Sequence, residues 1–88
     1  MATKKSEKES TLAEIFGTVV RAFREKAGLT QDKLAYHAEI TPGYMSQIER
    51  GKKNATLPIL WNLARALEVK PSDLVRDTEK RFLMKEKE

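Results

Sequence analysis

Gln31, Thr41, Tyr44, Gln47, Arg50, Lys52, Lys53 and Asn54 crowd one stretch of this chain with amide, hydroxyl, guanidinium and ammonium groups. Such groups do non-covalent chemistry. Cations and N–H groups hold phosphate oxygens, and a glutamine amide pairs with the edge of an adenine. Nothing in the spacing of Ser, His or acidic residues sets a nucleophile beside its base, and no glycine-rich phosphate loop follows a strand signal. An enzyme is therefore not expected. Cysteine is absent and the single histidine, His37, cannot build a metal site alone, so no metal and no cofactor are expected. His37 reads as a surface residue without a role.

These donors need a frame, and the run from Thr30 to Arg50, TQDKLAYHAEITPGYMSQIER, supplies two short helices joined at a tight corner. Thr30 caps the first of them. Gln31 then stands at a helix N-terminus, where its amide and the neighbouring backbone N–H groups suit a phosphate; otherwise it is an ordinary exposed polar residue. Leu34, Ala35 and Ala38 share one face, with Ala35 small where two helices cross. After a corner at Glu39 and Ile40, Thr41 is a second cap and Pro42 takes the first helical position, where its missing N–H costs nothing. Met45 and Ile48 turn inward; Pro42, Gly43, Tyr44, Ser46, Gln47 and Arg50 turn outward. This is the layout of a helix-turn-helix, which sets its second helix in the major groove of double-stranded DNA. Tyr44 has two readings: contact with DNA, or a ring packed beside the first motif helix. Between Glu49 and Thr56, Arg50, Lys52 and Lys53 face one acid, in a loop placed to meet the phosphate backbone together with Asn54.

The bracing elements follow from apolar spacing. A first helix is predicted from about Thr11 to Lys26, with Leu12, Ile15, Phe16, Val19, Val20 and Phe23 at steps of three and four and Gly28 as its stop. A fourth helix follows Thr56, tolerates Pro58 in its first turn and turns Leu60, Leu63, Ala64 and Leu67 to the core. Lys70-Pro71 opens a fifth, with Leu74 and Val75 inward. Five helices and no strand signal make an all-α bundle. Residues 1–10 read as a flexible, charged tail, 11–76 as the helix-turn-helix domain and 77–88 as a helical extension or tail. Within that extension Phe82, Leu83 and Met84 are consecutive apolar residues. They fold back on the domain or meet another subunit, and partner contact is favoured because such a triplet cannot all face one core.

The motif, followed by IERGKKN and LARALEV, closely resembles the DNA-binding domain of the Xre family, founded on the phage lambda repressor and Cro. The resemblance spans roughly Leu12 to Val75. It rests on Gly28-Leu29-Thr30-Gln31, Leu34-Ala35, Ile48-Glu49-Arg50-Gly51 and Leu63-Ala64-Arg65-Ala66-Leu67 in one order and at family-like spacing. It implies a five-helix lambda repressor-like bundle, a phosphate contact at Gln31, and an ion pair between Arg24 and Glu49 that links the first helix to the end of the recognition helix. Two departures stand out. Relatives commonly read bases near the start of the recognition helix, where this chain has Pro42 and Gly43, so readout is expected to lean on Thr41, Tyr44, Gln47 and DNA deformability. Glu39 stands where the family often has glycine, because the turn wants a positive φ.

At 88 residues the chain holds one domain with a modest core. Seventeen Lys and Arg against thirteen Asp and Glu leave a net charge of +4, which favours a polyanionic partner without establishing one. The N-terminus lacks an apolar signal segment and no run approaches a membrane span, so a cytoplasmic protein without a membrane or small-molecule partner is expected. The resemblance implies a homodimer on a palindromic operator, and a single short recognition helix also makes too few contacts for tight specific binding. Trp61, Leu74, Val75, Phe82 and Leu83 are the expected dimer interface; Trp61 with Leu57 forms a stripe that otherwise simply covers the bundle. A sequence-specific transcriptional regulator is the expected function. By analogy within the family, the lack of a sensor domain points to a restriction-modification controller protein. The alternative is an antitoxin or protein-interaction module built on the same fold.

Overall fold

The computed structural model describes residues 7–87. Five helices follow in order: α1 (Glu7–Lys26), α2 (Gln31–Ala38), α3 (Pro42–Glu49), α4 (Leu57–Leu67) and α5 (Pro71–Glu86). No strand occurs among the described residues. Helix α1 lies against α3 and α5, while α2 lies against α3 and α4, so α3 is held from behind by two helices at once. Val19, Val20, Leu34, Ala35, Ala38, Met45, Ile48, Leu63, Ala64 and Leu74 lose all contact with solvent at the centre. That apolar burial is the main force holding an 88-residue chain without cysteine.

Helix starts and stops are chemically explicit. Thr30, Thr41 and Thr56 each accept a backbone N–H through the side-chain oxygen, from Lys33 at 3.1 Å, Tyr44 at 3.1 Å and Ile59 at 3.3 Å. In α5 the Asp73 carboxylate takes the Lys70 N–H at 3.0 Å. The first four helices all end on a left-handed residue: Gly28, Glu39, Gly51 and Glu68, with φ of 75°, 62°, 73° and 59°. In each case the next residue's N–H reaches back to a carbonyl of the closing turn, as from Ile40 to Ala35 at 3.0 Å and from Lys52 to Gln47 at 2.8 Å.

Four expectations change. Helix α1 begins at Glu7, one turn before Thr11; Glu and Lys are good helix formers, but this turn has no apolar residue to show a period. The remainder of the expected tail, residues 1–6, lies outside the described residues. Leu12 is 45% exposed instead of core. Leu74 is fully buried in its own chain and cannot belong to a dimer interface, whereas its neighbour Val75 is half exposed and not inward. The buried stripe of α5 is narrow, Leu74 with Thr78 one turn on, and the step of about 100° per residue in a helix carries Val75 off it. Among the described residues no helix is long and apolar enough to cross a membrane, and no group of His, Asp and Glu could hold a metal ion.

Candidate nucleic-acid interface

Helix α3 is eight residues long, about 12 Å at the helical rise. Its two faces are set by local sequence. Met45 and Ile48 are fully buried and fix its rear in the core. Behind it, α1 approaches so closely that a Cβ on Gly17 would collide with the Ile48 carbonyl oxygen and lie 2.6 Å from that of Glu49. Glycine at position 17 is thus what lets α3 seat on α1. The mid-helix glycine in an otherwise helix-forming run was the available sequence signal for this contact, and it went unread.

The rear is also locked by charge. Arg24 donates from Nε to Glu49 Oε2 at 2.6 Å and from Nη2 to Glu49 Oε1 at 3.1 Å, while Nη1 donates to the Leu29 carbonyl at 2.9 Å. Gln31 Nε2 donates to the same Glu49 Oε1 at 2.8 Å. The Glu49 side chain is 2% exposed and that of Arg24 12%. Hydrogen bonding to Glu49, opposed by burial and aided by its charge, raises the Arg24 guanidinium above its ordinary value. A forked pair of this kind fixes orientation, because two parallel N–H donors match two carboxylate oxygens. The ion pair expected at Arg24 and Glu49 is formed, and Gln31 joins it.

The front differs. Thr41, Pro42, Gly43 and Arg50 are exposed, and nothing lies within 4 Å of where a Cβ on Gly43 would be. Gln47 is half-buried, and its amide has no hydrogen-bond partner among the described residues. Tyr44 and Ser46, both expected outward, are half-buried, and the Tyr44 ring packs against the core cluster. The Thr41 hydroxyl oxygen serves the cap but its hydrogen remains to donate. Arg50 uses Nε to reach the Ser46 carbonyl at 3.4 Å, which leaves both terminal nitrogens for a ligand.

Beyond the helix, Gly51 turns the chain in a left-handed conformation, and a Cβ there would sit 2.7 Å from the backbone of Glu14. This turn delivers Lys52, Lys53 and Asn54, all exposed, beside the end of α3. Arg21, Arg24, Arg65 and Arg76 pair with carboxylates of Glu25, Glu49, Glu39 and Asp73. Arg50, Lys52 and Lys53 have no such partner among the described residues. Positive charge left without an internal counterion beside an open helix face suits a polyanion.

The remaining expected residues sit elsewhere. Trp61 is 58% exposed, Val75 50% and Leu83 51%, with Phe82 half-buried. Leu12, Leu57 and Val75 line one apolar groove between α1, α4 and α5. These residues do not join the α3 face.

Comparison with known proteins places this geometry. Residues 15–77 match a helix-turn-helix domain family. The chain is 39% identical over 62 residues to the control protein C.BamHI of Bacillus amyloliquefaciens, covering 69% of this chain and 76% of that protein. Its fold superposes on the clp gene regulator ClgR from Corynebacterium glutamicum with a TM-score of 0.80 at 30% identity, over 84% of this chain and 79% of the other. The restriction-modification controller protein C.AhdI from Aeromonas hydrophila gives a TM-score of 0.69 at 34% identity, over 73% of this chain and 96% of the other. With five helices, no strand among the described residues and this motif at its centre, the chain belongs to the helix-turn-helix family of DNA-binding transcriptional regulators.

Proposed function

We propose that the chain binds as a homodimer to a palindromic operator in the cytoplasm and works there as a controller-type regulator, by binding and not by catalysis. In this reading α3 enters the major groove of each half-site. Gln47 and Tyr44 reach base edges with Thr41, Gly43 allows close backbone approach, Pro42 touches a thymine methyl, and Arg50 takes a phosphate at the end of the helix. Lys52, Lys53 and Asn54 take phosphates after the helix, and Gln31 takes one at the start of α2. The observation that carries it is the unpaired cluster Arg50, Lys52 and Lys53 at the end of a helix whose other face is immobilised.

A helix of about 12 Å covers only a few base pairs, so two copies with half-sites about 34 Å apart would supply the contacts that one lacks. Trp61, Val75, Phe82 and Leu83, together with Leu12 and Leu57, offer the apolar surface for that association. The likeness to C.BamHI and C.AhdI supports the controller role.

Salt dependence tests the reading. Affinity for a duplex from the protein's own upstream region should fall steeply between about 50 and 200 mM salt, and Arg50→Ala and Lys52→Ala should each reduce the slope by about one. A slope that neither substitution alters would return the chain to the class of protein-interaction modules.

A further inference from the structure

Glu49 is the one buried carboxylate among the described residues, and it does not lie on the recognition face. Its bonds to Arg24 make an ion pair. Its bond to Gln31 has a different consequence. A carboxylate has no hydrogen to give, so only the nitrogen end of the Gln31 amide can meet it. The usual ambiguity between the two ends of a side-chain amide is thereby removed. Nε2 carries two hydrogens and one is committed to Glu49, which leaves the second N–H and Oε1 without a partner among the described residues. Gln31 is half-buried and is the first residue of α2. Arg24 holds the carboxylate from the other side and ties it to the Leu29 carbonyl, two residues before Gln31.

We propose that Glu49 is a positioning residue for the backbone contact of Gln31: the buried carboxylate orients the amide so that its second N–H is presented to a DNA phosphate at the start of α2. The proposal rests on the DNA-binding reading above. It adds that this contact is set before DNA arrives, so little side-chain freedom is lost on binding.

A double-mutant cycle tests it. The probe is a duplex recovered by selecting the wild-type protein against random-sequence DNA, and affinity is read by fluorescence anisotropy at one salt concentration, with folding of each variant checked by circular dichroism. Gln31→Ala should weaken binding about tenfold, the scale of a hydrogen bond to a charged group. Glu49→Gln can donate as well as accept, so the Gln31 amide is free to turn over and a similar loss is expected. The double variant should be no weaker than the worse single one. The charge change in Glu49→Gln acts in both backgrounds and cancels in the cycle. Losses that multiply in the double variant overturn the proposal, as does a Gln31→Ala protein that binds as well as wild type; in both cases DNA binding itself still stands. A wild-type protein that selects no duplex overturns the DNA-binding reading and the proposal with it. One measurement needs no variant: in the nitrogen–proton spectrum, adding the duplex should shift one of the two Gln31 side-chain amide protons downfield. Two unmoved protons overturn the proposal even if Glu49→Gln fails to fold.

Discussion

The two faces of α3 are built to opposite tolerances. Its rear admits no side chain at Gly17, buries Met45 and Ile48 completely and closes a four-residue network of Arg24, Leu29, Gln31 and Glu49. Its front carries an exposed proline and a glycine with open space beside it. One helix of eight residues is therefore fixed in position by one half of its surface and left chemically sparse on the other. Most of the rigidity and most of the recognition come from different residues, and the Glu49–Gln31 bond is where the two meet.

The largest break in that contrast is expected from Gly17→Ala. The new methyl meets two backbone carbonyls that cannot rotate away, so α3 must move off α1, at a cost of about 3 kcal/mol in urea unfolding. Arg24→Ala should follow at about 2 kcal/mol, because Glu49 is left buried with only Gln31 to satisfy it; this lies below the usual loss for a broken buried pair because Arg24 is partly exposed. Glu39→Gly should raise stability by up to about 1 kcal/mol, since glycine relieves the left-handed strain and the Arg65 pair that is lost is long and exposed. A clear drop in Tm would refute this. The smallest change is assigned to Gly43→Ala, about 0.5 kcal/mol more stable from helix propensity alone. Equal costs for alanine at positions 17 and 43 would erase the distinction between the faces.

Much of this architecture was legible in the sequence because it is written locally. Threonine caps, Pro42 at the first helical position and the inward Leu34, Ala35, Met45 and Ile48 each depend on neighbours within one turn. The positive φ expected at Glu39 is present, but its twin at Glu68 was not foreseen, for no glycine-like position in the family pattern marked it. The inward face of α5 was misread for a chemical reason. Leu74 is in phase with Thr78, a polar residue that is nonetheless buried because its hydroxyl donates to the Leu74 carbonyl at 2.7 Å. A buried threonine with an internal partner is silent in an apolar pattern. Gln31 and Glu49 stand on separate helices, α2 and α3, so no periodicity within one helix joins them, and only the packing of α1, α2 and α3 brings them together.

Amide-shift mapping of the labelled protein with its selected duplex tests the central claim most directly. The account predicts that the largest perturbations fall at Gln31, from Thr41 to Gln47 and from Arg50 to Asn54, with the buried residues of α1 nearly unmoved. Perturbations concentrated on the exposed residues of α4 and α5, with α3 silent, would contradict it.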